Sequence, residues 1–562
     1  MPGRLTPNEE IDRQLAELDA AKSRFARHSL AERIQLAESC LEGTFRLANE
    51  WLAAGCEAKG IAVDSPLAGE ELATGPLATT RFLQLLIRSL KEIDAHGRPQ
   101  LPGKVDEDVD GRLRVQVFPA RGMYDEWLFR GFRADVWMQP GVNRENLDDA
   151  LAPDFAQRLR TERIALVLGA GNVSSIPAVD AFGKLFAEGR VVLLKMNPVN
   201  EYLGAIFERA YARVIEAGFL RLIYGGAETG AYAVAHPLVD EVHITGSITS
   251  HDVIVWGPPG EEREARRAAG RPLLTKPITS ELGNVTPWIV VPGPYRRREL
   301  DFQAENVAAM IVNNASFNCI ACKLIVSWRG WPDRQKFLDK IESVLARTPR
   351  RRAYYPGAVD RFRRFTGREP EQSPPGTLPW TLVRDIDPDR EPRWLEEESF
   401  VCAGAETALE ATDPAEFLDR AVDFVNERVW GALGAGLMIH PASRKGAENE
   451  ARFRRAVARL RYGTVAINHW PAIAYAIMNT PWGGSPGGTL ADPQSGIGWV
   501  HNTYLLDRIE KSVFEGPLVV RSKPFWFPSH RQADKLAWKV MQLYHQPDWR
   551  KLPGIFWSAL RG

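Results

Sequence analysis

The chain has 562 residues, and 71 Lys+Arg are balanced by 71 Asp+Glu, so its formal net charge is zero. At 44% hydrophobic and 25% charged residues its composition is ordinary for a globular chain, which excludes disordered and fibrous classes, and its length calls for two to four domains. Neutrality supplies no global field to recruit polyanions, so nucleic acid is not an expected partner.

Five cysteines, Cys40, Cys56, Cys319, Cys322 and Cys402, are too few and too scattered to staple such a chain. Their odd number leaves a free thiol, which points to a reducing compartment. The N-terminus, MPGRLTPNEE, lacks the apolar core of a secretory signal. Nowhere do about 18 apolar residues run together, the stretch from Ile164 to Phe182 being broken by Asn172, Ser174, Ser175 and Pro177. A cytoplasmic protein with no transmembrane segment is expected.

In chain order, the first hundred residues read as helices, because Ile34, Ala37, Leu41, Phe45, Ala48 and Leu52 recur at steps of three or four. From 111 to 142 the pattern changes to alternation, Leu113, Val115 and Val117 against Arg112, Arg114 and Gln116, which predicts a strand pair outside the main core. From Arg163 strand, turn and helix repeat: IALVLGAG, PAVDAFGKLFAEG, VVLLK, EYLGAIFERAYARVIEAG, FLRLIYGG and VDEVHITGS. Apolar strands separated by amphipathic helices predict a doubly wound parallel sheet, and such sheets bind ligands at the carboxyl ends of their strands. Gly169 to Asn172, Lys195, Gly225 with Gly226, and Thr245 to Ser247 stand at those ends.

The charged stretch from Gly257 to Pro272 has no apolar face and reads as a solvated insertion. A second α/β domain begins near Glu281, with ELGNVTPWIVV, ACKLIVSW and GTVAIN as strands, while residues 340 to 395, rich in Arg and Pro, suggest no chemistry. Near the end, KPFWFP precedes a helix with Ala533, Leu536, Ala537, Val540, Met541 and Tyr544 on one face. That helix suits packing on the body; a lid over an apolar funnel and a membrane-surface contact are the other readings.

Cys319 lies in NNASFNCIACKLIV, at a polar turn between a helical segment and a strand. A cysteine so placed serves either as a thiolate nucleophile or as a small buried hydrophobe. With Cys322 it forms a C-x-x-C, but no second pair follows, so neither a zinc site nor any other metal site is expected. Glu281 opens ELGNVTP, and a carboxylate, a thiol, a strand-end lysine and a glycine-terminated sheet together suit a nucleotide-dependent enzyme with a covalent thiol intermediate.

Several segments in this order resemble the aldehyde dehydrogenase superfamily over roughly residues 30 to 520. They are LGAGNVSSIP (Asn172), LLKMNP (Lys195), GGAETGAYAVAHPLVDEVHITGS (Gly225 to Ser247), ELGNVTP (Glu281), NNASFNCIA (Cys319), EEESF (Glu398, Phe400), GTVAIN (Asn468) and PWGG (Pro481 to Gly484). Asn172 and Lys195 stand 23 residues apart, the spacing this resemblance implies.

The resemblance implies two doubly wound α/β domains and a small β oligomerisation arm. A Rossmann-like cofactor domain would take residues 1–110 and 143–280, a catalytic domain 281–485, the arm 111–142 with about 505–525, and a helical extension 526–562. It also implies NAD- or NADP-dependent oxidation of an aldehyde to a carboxylate. Cys319 would attack the aldehyde, and Asn172 with the Cys319 N–H would hold the oxyanion. Hydride would pass to the nicotinamide, leaving a thioester that Glu281 hydrolyses as general base on water.

Lys195 would bind the adenosine ribose and Glu398 the nicotinamide ribose, Phe400 would pack beside the nicotinamide, and Ser247 would meet the pyrophosphate at a helix N-terminus. Pro198, Gly225, Gly230, Thr245, Gly246 and Gly283 complete the implied cofactor set. A homodimer or homotetramer built on the arm is implied as well.

The chain departs from the family's pattern at Ala170-Gly171, Ile244, Asn284 and Ser316-Phe317. Pro198 stands where an NAD-selecting glutamate is common, which admits NADP. These departures also resemble CoA-acylating and acyl-CoA-reducing branches, in which coenzyme A replaces water. Those branches generally lack Glu281's counterpart, so hydrolysis is the leading expectation; a non-catalytic scaffold is the reading from outside enzymes. Trp470, Trp482, Trp526 and Trp557 near the end hint at a bulky or apolar aldehyde.

Overall fold

The computed structural model describes residues 4–108 and 110–562. The chain first lays down three antiparallel strands, β1 (Val105–Glu107), β2 (Leu113–Phe118) and β3 (Arg133–Met138). Strand and helix then alternate through β4 (Ile164–Leu168), β5 (Val191–Lys195), β6 (Leu220–Ile223), β7 (Glu241–Gly246) and β8 (Ile278–Leu282). A second series comprises β9 (Thr286–Val290), β10 (Cys322–Trp328), β11 (Thr381–Val383), β12 (Ala403–Leu409), β13 (Gly434–Met438) and β14 (Thr464–Ile467). β15 (Gly496–Ile497) and β16 (Ile509–Glu515) close the series.

Two sheets result. The six-stranded sheet runs β15-β8-β7-β4-β5-β6 and is parallel except for β15. Its central strands, IALVL and VVLLK, are apolar throughout and almost wholly buried, as a parallel sheet covered by helices requires. The ten-stranded sheet runs β1-β2-β3-β16-β14-β13-β9-β10-β12-β11, parallel from β16 to β11 and antiparallel from β1 to β16. The two expected α/β units are therefore present.

Three expectations on boundaries change. Glu281 was expected in the second unit, yet β8 continues the ladder of β7 as far as Leu282 opposite Gly246, so Glu281 sits on the six-stranded sheet. The arm begins earlier, at Val105. It is also no separate sheet, because β16 pairs along one edge with β3 and along the other with β14, fusing arm and second unit into one sheet.

The N-terminal helices form as their spacing predicts. Helix Leu30–Arg46 starts from a capping box in which Ser29 and Glu32 satisfy each other's backbone N–H groups. Helix Asn8–Arg27 turns Ile11, Leu15, Leu18 and Phe25 into the core. Between helices Ala68–Leu72 and Ala78–His96 the chain is interrupted at Gly75-Pro76. A side chain at Gly75 would meet Ser174 Oγ at 2.6 Å, so glycine lets this interruption lie against the loop after β4.

Helix Glu261–Ala268 has no buried residue, in keeping with a solvated insertion. The C-terminal helix Ala533–His545 buries Leu536, Ala537, Met541 and Tyr544, so it packs on the body as its periodicity predicts. Tyr544 OH donates to Asp125 at 3.2 Å. Among the described residues no helix is long and apolar enough to cross a membrane.

Candidate active site

Cys319 and Glu281 arrive from different units. The helix Arg297–Val312 ends in a tight turn, after which three consecutive residues, Asn314, Ala315 and Ser316, hold positive φ of 51°, 54° and 70°. Left-handed backbone costs a non-glycine residue about 1–2 kcal/mol, so this turn needs external clamps. Asn314 Oδ1 accepts from Lys59 Nζ at 3.0 Å and Tyr354 OH at 2.8 Å, and its Nδ2 donates to the carbonyls of Asn172 and Phe317 at 2.9 and 3.0 Å. Ser316 Oγ accepts from buried Lys323 at 2.8 Å. Past the cysteine, Trp470 Nε1 donates to the Ile320 carbonyl at 2.9 Å.

Lys59 is the hub of these clamps. Its ammonium pairs with Glu71 at 2.6 Å and donates to the Asn172 carbonyl at 3.2 Å, while Ser174 Oγ donates to Glu71 at 2.6 Å. One buried ion pair thus ties the N-terminal helices to both loops that converge on Cys319. Asn172 Nδ2 donates to the Phe317 carbonyl at 3.0 Å, so its amide lies against the same turn.

Glu281 is 4% exposed, on β8 opposite Thr245 of β7 and Gly496 of β15. It lies beside the Cys319 thiol, and Trp482 Nε1 donates to its Oε1 at 3.4 Å. Burial pushes its carboxyl up to about 8, against the lowering effect of the Cys319 contact, with Asp180 pushing the same way as burial. Burial, then the carboxylates of Glu281 and Glu398, raise the Cys319 thiol well above its ordinary value. Burial therefore favours the protonated form of both groups.

Two cavities meet at this pair. One, of about 1250 Å³, runs along the carboxyl ends of β4, β5 and β7 and includes Gly169 to Asn172, Lys195, Pro198, Gly230 and Gly246 to Ser250. The other, of about 470 Å³, lies on the far side among aromatic and aliphatic side chains. Glu281 and Cys319 are the residues common to both linings. Among the described residues no cluster of His, Cys, Asp or Glu could hold a metal ion.

The expected cofactor residues divide by what their side chains already do. Lys195 ends β5 with only a 3.4 Å contact to the Met196 carbonyl, and burial lowers its ammonium to about 8, with Glu201 opposing. Gly230 faces it: an added Cβ would lie 3.5 Å from the lysine side chain. Gly246 and Ser247 are exposed to the cleft, and Ser247 caps helix Ile248–Trp256 by accepting from Ser250 N, leaving first-turn N–H groups for an anion. Thr245 turns its hydroxyl inward to Asp180 at 2.8 Å. Gly225 shapes the chain at φ 140°, where a side chain would strike Thr229, and Gly226 lines the cleft in its place.

Glu398 lies so close over Gly283 that an added Cβ there would be 2.0 Å from Oε2. Its Oε1 is buried with no partner, an open acceptor facing a cleft wide enough for a ribose hydroxyl. Burial raises the Glu398 carboxyl, and Lys323 opposes that. Phe400 stands 5.7 Å from Phe317 and 5.0 Å from Tyr355.

The departures in sequence acquire structural roles. Phe317 is buried in an aromatic cluster with Tyr354, Tyr355 and Phe400, and Ser316 takes the Lys323 ammonium. Asn284 Nδ2 donates to Thr286 Oγ1 and the Gly434 carbonyl. Sequence reasoning missed Lys59, Glu71, Trp482 as a Glu281 partner, and the segment 340–395, which supplies Tyr355 and Arg361 to the cofactor-side cleft. Lys59 and Glu71 carry no local signal; a lysine inside an otherwise apolar helical stripe was the nearest hint.

No protein-family model matches the chain, and no curated protein matches it in sequence. Solved structures match in fold. An NAD-dependent aldehyde dehydrogenase from Sinorhizobium meliloti is 16% identical, covering 91% of this chain and 87% of that one, with a TM-score of 0.59. Lactaldehyde dehydrogenase from Escherichia coli is 14% identical, with coverage of 91% and 92% and a TM-score of 0.59. NADP-dependent glyceraldehyde-3-phosphate dehydrogenase from Bacillus halodurans, solved with NADP, is 14% identical over 91% and 92%, with a TM-score of 0.58. The chain has the aldehyde dehydrogenase fold.

Proposed function

We propose that the protein oxidises an aldehyde to a carboxylate with NAD or NADP, through a covalent adduct on Cys319. The observation that carries this reading is the meeting of two cavities at Cys319 and Glu281 alone. One cavity brings a nucleotide along strand ends, the other brings an organic substrate, and a thiol with a carboxylate base stands where they join.

The cofactor-side cleft fits a dinucleotide: Ser247 heads a helix, Lys195 is held beside Gly230, and Glu398 offers an open acceptor. When bound, that group supplies a hydride acceptor. Glu281 removes the thiol proton, and the Cys319 sulfur attacks the carbonyl carbon. The Asn172 amide and the Cys319 N–H, which lies against its own sulfur, stabilise the oxyanion. With the hydride given up to the bound acceptor and the carbonyl restored as a thioester on Cys319, Glu281 releases the thiol proton to solvent and, ionised again, takes a proton from water; the hydroxide attacks the thioester, frees the acid and leaves Cys319 as the thiolate, which Glu281 reprotonates.

A carboxylate beside the thiol, where both cavities meet, supports hydrolysis over transfer to coenzyme A. The reducing cytoplasm keeps Cys319 free for this chemistry. Replacing Cys319 with Ala should abolish reduced-nicotinamide formation across an aldehyde panel while leaving the dinucleotide-induced thermal shift in place. Undiminished turnover would refute the assignment, a missing shift in the wild type would favour the scaffold reading, and turnover only with coenzyme A would favour the acylating one.

A further inference from the structure

We propose that the aldehyde's body is a long unbranched apolar chain, held in the 470 Å³ cavity whose outer wall is the aromatic segment Phe525–Pro528. This rests on the proposed oxidation at Cys319 and adds its substrate class.

Three remote stretches of chain build the cavity. The interruption at Ala73–Ala78 forms one wall, Trp470 with Ile473 and Ile477 a second, and Phe525, Trp526 and Phe527 a third, and its inner end is Cys319 with Glu281. The volume lies within the roughly 300–1,000 Å³ typical of ligand pockets. At about 30 Å³ per methylene, close to a water's share of liquid, it corresponds to an alkyl chain on the order of 15 carbons.

Of the three guanidiniums that line the cavity, two are paired: Arg81 gives both terminal nitrogens to Asp125 at 2.8 Å, and Arg351 pairs with Glu70 at 3.1 Å. The third, Arg531, is exposed to solvent, so the interior walls are largely apolar, and a hydroxylated substrate would surrender water for them. An alkyl chain loses nothing polar and gains about threefold to fourfold in affinity per methylene buried, the equivalent of ~0.8 kcal/mol.

The C-terminal segment is what closes the space. Helix Ala533–His545 packs against Ala68–Leu72 so closely that a Cβ on Gly69 would strike the Ala533 backbone at 2.4 Å, which fixes Phe525–Pro528 over the interruption. The helix thus packs on the body as expected, and the loop before it supplies one wall of the cavity.

The test uses the full-length protein with saturated aldehydes from four to sixteen carbons, and in parallel measures quenching of intrinsic tryptophan fluorescence by the matching carboxylic acids. Trp470, Trp482 and Trp526 line the cavity and report binding without turnover. The expected result is kcat/KM and acid affinity that climb about tenfold per two carbons and level off between about ten and fifteen. Ala476→Phe, and independently Ala472→Phe, should remove the gain for long chains while short-chain turnover persists, which also shows the variants folded.

Turnover of short aldehydes with no gain for longer ones would overturn the substrate class and leave the oxidation standing. Length-dependent acid binding without any turnover would overturn the oxidation and leave the cavity assignment standing. No length dependence in either readout would overturn the proposal outright.

Discussion

The Glu281 carboxyl sets a pH dependence that can be worked out from its surroundings. With its protonation midpoint at about 8, about one tenth of the groups are ionised at pH 7 and about nine tenths at pH 9. A step that needs the carboxylate should therefore speed up close to tenfold over that interval and level off above it. Glu281→Gln keeps the shape and removes the base; loss of a positioned base costs about 10²–10⁴-fold in rate.

Steady-state turnover followed by reduced-nicotinamide absorbance from pH 6 to 10 reads the limb, and rapid-quench intact-mass measurement reads the acyl adduct on Cys319, whose formation and hydrolysis should both slow in the variant. The same substitution has a stability signature. The folded carboxyl stays protonated to about 8 while the unfolded one ionises near its ordinary 4.5, so between these values the native state binds more protons and stability falls as pH rises. Above pH 8 the Gln variant should be the more stable protein, by up to about 5 kcal/mol at about 1.36 kcal/mol per pH unit. A variant that keeps a limb centred near pH 8, or one less stable than wild type at pH 9, would refute the role and the burial argument respectively.

Two further substitutions probe the surroundings. Lys59→Met leaves Glu71 buried without its partner, which should cost about 3–5 kcal/mol in denaturant melts and lower kcat with little change in KM; adding Glu71→Leu should restore stability without restoring kcat, since the Asn314 clamp stays lost. Pro198→Glu adds a carboxylate to the cofactor-side cleft three residues past Lys195, where the proposed adenosine ribose would bind, and it should cut the NADP-to-NAD ratio of kcat/KM about tenfold or more. An unchanged ratio would mean the 2′-phosphate lies elsewhere.

The parallel sheet, its strand-end glycines and the polar turn at Cys319 were legible because each is written locally: apolar runs of strand length, a glycine where the backbone turns, and a cysteine after three polar residues. Lys195 and Ser247 were legible for the same reason, standing at strand ends where ligands of such sheets bind. The clamp on the turn before Cys319 was not, because Lys59 and Asn314 are 255 residues apart and neither differs in sequence from a solvated lysine or asparagine. Nor was the division of labour within VHITGS: only the fold decides that Thr245 turns to Asp180 while Gly246 and Ser247 meet the cleft. The stretch 340–395 looked chemically silent since its contributions, Tyr355, Arg361 and Trp380, are single side chains reaching two cavities from irregular backbone.

The arm illustrates what strand patterns leave open. Alternation in Leu113, Val115 and Val117 predicts strands and says which face is buried, but backbone N–H and C=O groups carry no label for the partner they will meet. Here β16 offers one edge to β3 and the other to the chain's own β14, with Thr464 opposite Ser512 and Ile467 opposite Glu515. The outer edges of the resulting sheet are β1 and β11, three residues each, and β1 carries Asp106 and Glu107. Short, charged edges are poor templates for another chain. The expectation of a homodimer or homotetramer came from the arm's resemblance to the superfamily's oligomerisation arm and from its exposed edges; within the chain β3 is paired to β16, and β1 is the arm edge left open.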